Sequence, residues 1–177
     1  MKNSILTIAV FVITLISSLQ LTAQEFKSLD KSPMDVAAFP SSYKISDKIV
    51  KVIYSRPQLK GRDLVKLAPP EKIWRTGANE AAEITFYKDV IFGGKALKAG
   101  TYSLFTIPSL DGDWTVIINR ARNVWGSYYY KQDKDVVRIS GKTSKTEENI
   151  EAFSMMFDKD MTLKMGWGKT VISVSIK

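Results

Sequence analysis

The sequence predicts an all-β fold: a single-domain antiparallel β-sandwich or flattened barrel of about eight strands, following a cleaved signal peptide. Two observations lead to this prediction. Runs rich in β-branched and aromatic residues recur along the chain at intervals of roughly 10 to 18 residues. Glycine and proline residues separate these runs, and no internal repeat, low-complexity tract or linker divides the chain.

The first 23 residues have the pattern of a secretory signal peptide. Lys2 supplies a positive charge, residues 5–16 form an apolar run interrupted only by threonines, and small residues follow near Ala23. The run is too short to cross a bilayer as a helix, which takes roughly 20 residues. We therefore expect cleavage after Ala23, with a retained N-terminal anchor as the alternative. Since no cysteine follows the run, a lipid-anchored lipoprotein is excluded.

Residues 24–48 are predicted to be an extended N-terminal segment, because their Ser-Pro and Phe-Pro steps favour loops. The β domain is predicted to span residues 49–177. Its strands are predicted at residues 49–54, 83–90, 101–107, 114–119, 136–140, 152–157, 162–167 and 171–176. Residues 143–153 contain helix-forming residues, but the end of this segment is equally compatible with the start of a strand.

The composition limits the chemistry that is available. The chain has no cysteine and no histidine. Catalytic Ser-His-Asp and Cys-His groups are therefore impossible, and so are the common ligand sets for zinc. No glycine-rich phosphate loop occurs either, and we expect no cofactor and no metal. An oxygen cage of Asp, Glu and Asn side chains for calcium remains chemically possible. If the protein is a catalyst, carboxylates must carry the reaction.

The charge balance is basic, with 26 lysines and arginines against 18 aspartates and glutamates and a formal net charge of +8. Loss of residues 1–23 would remove only Lys2 and leave +7. The basic residues are scattered, which favours a solvated basic surface over a nucleic-acid site. For an exported chain, the expected acidic neighbours are lipid headgroups, polysaccharide and other envelope proteins.

A dense polar cluster lies at the predicted strand ends between residues 54 and 83. Its candidate ligand-binding residues are Arg56, Arg62, Trp74, Arg75, Asn79 and Glu80. Arginine binds carboxylate or phosphate through two parallel hydrogen bonds, and glycine lets the backbone approach a ligand, so the cluster indicates an anion or sugar site. The alternative is structural: Arg56, Arg75 and Glu80 form an internal ion-pair network, Asn79 caps a turn and Trp74 lies in the core.

An aromatic cluster, WGSYYY, occupies residues 125–130. Exposed rings bind sugar faces and peptide chains, so Trp125 and Tyr128 are also candidate ligand-binding residues. The alternative is a strand that places Tyr128 and Tyr130 on one face and Tyr129 on the other. A glycan-cleaving enzyme would instead need two facing carboxylates, for which Glu80 could pair with Asp35 or with Glu83.

Several strings together resemble a known family. They are SPMD (32–35), YSRP and KGR (54–62), WRTGANEA (74–81), LKAGTYSLFTIP (97–108), WTVIIN (114–119) and WGSYYY (125–130). Over nearly all of residues 24–177, the chain is similar to an exported family common in Bacteroidetes and known only as domain of unknown function 2911. The resemblance implies export and one β-rich domain. It implies no established activity, so no catalytic residue is carried over, and WRTGANEA becomes the first motif to test.

The sequence thus predicts an exported envelope protein, in the periplasm or, alternatively, outside the cell. We favour a non-enzymatic β domain that binds a glycan, a peptide or a protein. The alternatives are a carboxylate-dependent enzyme acting on glycans and a structural scaffold. We expect no nucleic-acid partner, and no stable membrane span after signal cleavage.

Overall fold

Nine β-strands make up most of the regular structure in residues 26–177, the part of the chain that the computed structural model describes. They are β1 (Met34–Phe39), β2 (Val50–Ser55), β3 (Ala82–Phe86), β4 (Val90–Phe92), β5 (Lys95–Leu97), β6 (Gly100–Ile107), β7 (Trp114–Asn119), β8 (Asp135–Phe157) and β9 (Thr162–Ser175). One helical turn, α1 (Leu64–Leu67), and one 3₁₀ turn (Gln132–Lys134) accompany them. The predicted signal peptide, residues 1–23, lies outside the described residues.

Seven strands form one antiparallel sheet in the order β1-β2-β3-β6-β7-β8-β9, and the sheet curls into a half-barrel. Strands β4 and β5 pair with each other in a separate hairpin. The all-β prediction is therefore confirmed. Within the described residues, no helix has the length and apolar character needed to cross a membrane.

Alternation along the strands gives the sheet two faces. On one face, which we call the core face, Val52, Ile84 and Leu104 are fully buried. They belong to the main hydrophobic core, which also includes Phe153 and Met165 from the last two strands. On the opposite face, which we call the outer face, four residues align across the sheet: Ile53 pairs with Glu83, Glu83 with Ser103, and Ser103 with Asn119. This outer face positions the candidate site.

The sheet begins earlier than the sequence predicts. Residues 24–48 contribute β1, which pairs with β2 from Met34↔Ser55 to Phe39↔Val50. The run MDVAAF contains one β-branched residue, so its strand state depends on the neighbouring strand rather than on local propensity. The predicted strand 83–90 also differs, because β3 ends at Phe86 and Val90 begins the separate hairpin.

Two long strands replace four short ones at the C-terminal end. β8 joins the predicted strands 136–140 and 152–157, and β9 joins 162–167 and 171–176. The polar stretch inside β8 remains extended because Lys142 to Lys145 pair with Ser173 to Thr170 of β9. The helix-forming residues of 143–153 are therefore in a strand, with register shifts between Lys145 and Ser154.

Candidate functional site

Two motifs that lie far apart in the sequence pair with each other on the outer face. We call residues 74–81 the motif loop and residues 120–131 the platform. The Ala81 N–H donates to the Val124 carbonyl (2.8 Å), and the Gly126 N–H donates to the Asn79 carbonyl (2.9 Å). These bonds flank a bridge between Glu80 and Trp125. Asn79 (φ 60°) and Gly126 (φ 65°) are both in the left-handed region, so the pairing is confined to this one bridge.

The motif loop is tightly fitted against its surroundings. Trp74 exchanges two backbone hydrogen bonds with Thr106, and the Ala82 N–H closes the loop onto the Arg75 carbonyl (3.0 Å). Thr76 is fully buried at φ 54°, a backbone conformation that a β-branched residue rarely adopts. A Cβ on Gly77 would lie 3.0 Å from the Ser55 carbonyl oxygen. The loop therefore holds one shape at some conformational cost, which is a feature of binding and active sites.

Polar side chains of the outer face hold the platform in place. The Ser103 hydroxyl donates to the Ala121 carbonyl (2.8 Å), and the Asn119 side chain accepts from the Ala121 N–H (2.9 Å). Asn119 also donates to the Lys131 carbonyl (2.9 Å), and the Glu83 carboxylate accepts from the Asn123 N–H (2.7 Å). The platform is thus bound to the sheet near both of its ends.

A second, smaller core lies beneath the platform. Ala81, Phe105 and Ile117 are buried there, and Val124 and Tyr130 pack against them. The Tyr130 ring contacts the Phe105 ring edge-to-face at 5.2 Å between centroids.

The hydroxyl of Tyr130 takes part in a network of hydrogen-bonded side chains at the end of the platform. It donates to the Asp135 carboxylate (2.6 Å), which also accepts from Arg138 (3.2 Å) and Asn119 (2.7 Å). Burial, together with the hydrogen bond to Asp135, raises the pKa of Tyr130 to about 12. Tyr130 is therefore a neutral anchor of the platform at physiological pH.

The platform leaves three aromatic rings open to solvent. Trp125 is 55 % exposed, Tyr128 78 % and Tyr129 75 %. The segment forms turns instead of a strand. The alternative expectation of Tyr128 and Tyr130 on one face is therefore wrong, because Tyr130 packs inward while Tyr128 does not. Exposed rings on an anchored segment are a ready surface for a ligand.

A cleft of about 310 Å³ opens beside the pairing of the motif loop with the platform. Its apolar wall includes Met34 and Ile53, and its polar groups include Glu80, Glu83 and Asn123. Glu80, one of the residues that line the cleft, is also the residue whose backbone bridges to Trp125 of the platform. The cleft thus combines an apolar wall with two carboxylates and is connected to the platform through Glu80.

Both motifs of this site lie inside one family match. A family model described as "Protein of unknown function (DUF2911)" matches residues 32–176. The chain belongs to this family. The resemblance seen in the sequence is thereby confirmed, and the family description assigns no activity to this DUF2911 protein. No curated protein and no solved structure matches the chain.

Three of the candidate ligand-binding residues of this DUF2911 protein have structural partners. The Arg62 guanidinium donates to the carbonyls of Leu59 (2.9 Å) and Gln58 (2.7 Å), and so shapes its own loop. Trp74 is only 6 % exposed and stacks on Trp167 at 5.4 Å, so we assign it to the core instead of to ligand binding.

The third of these residues, Arg56, pairs with Asp35 (3.1 Å) and donates to the Phe153 carbonyl and the Ser154 hydroxyl. Neither Arg75 nor Glu80 forms an ion pair within residues 26–177. The internal ion-pair network considered above therefore does not form.

The remaining candidates come together at the pairing of the two motifs. Asn79 lies at φ 60° in a turn, and its carbonyl receives the Gly126 N–H. Glu80 is exposed and faces the cleft. Trp125 and Tyr128 supply the exposed rings, and Arg75 lies close to Gly126, with its Nη1 3.9 Å from the position of a Cβ on that glycine.

The two carboxylate pairs considered from the sequence differ in the structure. Glu80 and Glu83 line the same cleft. Asp35 aligns with Tyr54 across β1 and β2, so its side chain leaves β1 on the opposite side from Met34 of the cleft wall. The structure therefore favours Glu83 over Asp35 as a neighbour of Glu80. Among residues 26–177, no group of three or more ligand side chains that could hold a metal is present.

Ser103, Asn119 and Asn123 also belong to this site, although the sequence motifs do not single them out. Ser103 directly precedes Leu104 and Phe105, and Asn119 directly follows the apolar run 116–118, yet both polar residues are completely buried. A buried polar side chain needs a hydrogen-bond partner, so these two polar positions beside apolar runs were the available signal.

Proposed function

We propose that this protein is an exported, non-enzymatic glycan-binding protein of the cell envelope, in the periplasm. In this proposal the platform and the adjacent cleft hold the sugar chain. The observation that carries it is the exposure of Trp125, Tyr128 and Tyr129 on a segment that is hydrogen-bonded to the sheet.

The chemistry of a sugar suits this surface. A pyranose ring presents C–H groups on one face, which pack against an aromatic ring, and hydroxyl groups around its edge. The carboxylates of Glu80 and Glu83 accept hydrogen bonds from such hydroxyls. Met34 and Ile53 supply an apolar wall beside these carboxylates.

The anchoring of the platform supports binding in a second way. Its backbone is already bound to Ser103, Asn119 and Glu83 before a ligand arrives. A surface ordered in advance loses less conformational entropy on binding, so modest contacts suffice for measurable affinity. Export is supported by the signal-peptide pattern of residues 1–23.

The proposal is tested by measuring binding of the purified protein to a panel of neutral and acidic oligosaccharides. We expect Trp125→Ala to weaken binding about tenfold or more, equivalent to about 1.4 kcal/mol. Tyr87→Ala is the matched control, because Tyr87 is also an exposed aromatic residue (51 %) but lies directly after β3. Absence of binding to every oligosaccharide, or equal binding by wild type and Trp125→Ala, would contradict the proposal.

A second candidate function rests on the shared cleft of Glu80 and Glu83. Most glycoside hydrolases use two carboxyl groups in one cleft, and Glu80 and Glu83 line the same cleft here. Glu83, however, already accepts the Asn123 N–H, which gives it a structural task. Release of reducing sugar ends from a bound oligosaccharide, abolished by Glu80→Gln, would establish the enzyme instead of the binding protein.

A further inference from the structure

Arg75 has an unusual environment for an arginine. Its Nε atom is buried and has no hydrogen-bond partner within the described residues. Its two terminal nitrogens also make no hydrogen bond to residues 26–177, and they are not buried. A guanidinium that is partly removed from water without a counter-charge is costly, and an anion bound beside it would offset that cost.

The guanidinium lies beside Gly126, which is buried and has φ 65°. The position that a Cβ on Gly126 would occupy is 2.8 Å from the ring of Tyr128 and 3.9 Å from Nη1 of Arg75. The absence of a side chain on Gly126 therefore lets the ring and the cation approach the same backbone position. Since Tyr128 is 78 % exposed, one ligand can contact both the ring and the guanidinium. Glu80 forms no ion pair with Arg75 within the described residues.

The charge of the platform points to an anionic ligand. Residues 120–131 contain Arg120, Arg122 and Lys131 and no acidic residue. All three are exposed, and none forms an ion pair within the described part of the chain. Together with a net charge of +8, this unpaired positive charge attracts polyanions to the face that carries the rings.

We propose that Arg75 binds the carboxylate of an acidic sugar, so that the ligand is a uronate-type glycan. The inference rests on the proposed function and specifies its ligand class. The sugar ring lies against Tyr128, and its planar carboxylate meets the terminal nitrogens of the guanidinium. The planar guanidinium and a planar carboxylate can form two parallel N–H···O hydrogen bonds. Because Nε is buried, the two terminal nitrogens are the donors that a ligand can reach.

The experiment compares one acidic oligosaccharide with its carboxyl-reduced form, which has the same sugar rings and no charge. Dissociation constants are measured by calorimetry for wild type, Arg75→Gln and Arg75→Lys. Arg62→Gln is the matched control, because Arg62 binds backbone carbonyls of its own loop. Thermal melting of each variant verifies that it is folded.

Wild type and Arg62→Gln are expected to prefer the acidic form about tenfold or more. Arg75→Gln is expected to lose this preference while its affinity for the reduced form stays within about twofold, and Arg75→Lys to keep only part of it. Binding of both forms without preference would overturn this inference and leave the proposed function intact. Failure of both forms to bind would overturn this inference, and the proposed function falls with it only if the whole panel of neutral and acidic oligosaccharides also fails to bind.

Competition by other oxyanions distinguishes a site specific for carboxylates from a site that binds anions in general. A sulfated neutral oligosaccharide and inorganic phosphate are tested as competitors. Weak competition by both supports a site for the carboxylate. Competition as strong as that of the uronate oligosaccharide would overturn the assignment to carboxylate.

Discussion

Arg56 and Arg75 lie in neighbouring sequence motifs and are both partly buried, but their surroundings differ. Arg56 uses all three of its nitrogens: Nη1 pairs with Asp35, Nη2 with Ser154 and Nε with the Phe153 carbonyl. Arg75 uses none of them among the described residues. Exposure alone does not separate a structural arginine from a binding one. Hydrogen-bond saturation does, because an arginine with every donor engaged has nothing left to offer a ligand.

The same contrast extends to the regions around the two arginines. We call the contacts of Tyr54, Arg56 and Pro57 with residues 153–155 the seam. There the Tyr54 hydroxyl accepts from the Met155 N–H (2.8 Å), and the Phe153 N–H donates to the Pro57 carbonyl (2.9 Å). Burial raises the pKa of Tyr54, which keeps it neutral in the seam. The polar groups of the seam are engaged with one another, whereas the motif loop and platform leave Glu80, Arg120 and Arg122 open to solvent.

The largest difference in stability is expected between variants of two tryptophans, the buried Trp74 and the exposed Trp125. Trp74→Ala removes a ring that contacts Trp114, Phe153 and Trp167, and is expected to lower the free energy of unfolding by about 3–5 kcal/mol. Trp125→Ala is expected to change it by less than about 0.5 kcal/mol, because the ring is exposed. Urea unfolding of both variants measures this difference, and equal losses would contradict it.

The two arginines provide the next test. Arg56→Met leaves Asp35 without its cation and is expected to destabilise the protein by about 1–3 kcal/mol. Arg75→Met is expected to leave stability unchanged or to raise it slightly, since it removes a buried donor without a partner. The measurement is again urea unfolding. A destabilisation by Arg75→Met as large as that by Arg56→Met would show that Arg75 has a structural role.

Tyr130 offers a test that depends on pH. Its pKa rises from 10.0 to about 12 on folding, so the folded state retains a proton that the unfolded state loses. The stabilisation is complete below pH 10 and disappears as the pH rises through about 12. Wild type should therefore lose stability between pH 10 and 12 more steeply than Tyr130→Phe does. At pH 7 the free energy of unfolding of Tyr130→Phe should be about 1 kcal/mol lower than that of wild type. Parallel pH profiles of stability for the two proteins would contradict the role of Tyr130 as an anchor.

The smallest effect is expected from Glu83→Gln. The amide oxygen of glutamine can still accept the Asn123 N–H, so stability should stay within about 0.5 kcal/mol of wild type. Oligosaccharide affinity should also change little, because the amide oxygen of glutamine still accepts a hydrogen bond from a sugar hydroxyl. Loss of a measurable turnover in this variant would favour the enzyme, and would show that the outward-facing region performs catalysis.

The strands whose residues alternate clearly between apolar and polar could be predicted from the sequence. Residues 101–107 and 114–119 alternate clearly, and β6 and β7 match them within one residue at each end. β1 and the middle of β8 could not be predicted in this way. Their side chains do not favour strands by themselves, and only pairing with β2 and β9 makes them extended.

The candidate site was likewise only partly predictable from the sequence. The residue types of both motifs indicated binding, since Arg, Trp and Tyr are chemically suited to it. Which arginine remains available was not predictable, because it depends on Ser154, 98 positions after Arg56. The contact of Asn79 with Gly126 is likewise a consequence of the folded sheet and has no local signal.

The seam also bears on the order in which the molecule is made. Tyr54 meets Met155, which lies 101 positions later, and Phe92 bridges to Ile176. Since these contacts join residues 54–92 to β8 and to the segment after β9, the core cannot close before β8 and β9 have been synthesised. The nascent chain therefore stays open until these strands are available for pairing. In the export that we propose, the chain would pass through a translocation channel in this open state, and late closure would keep it competent for transport.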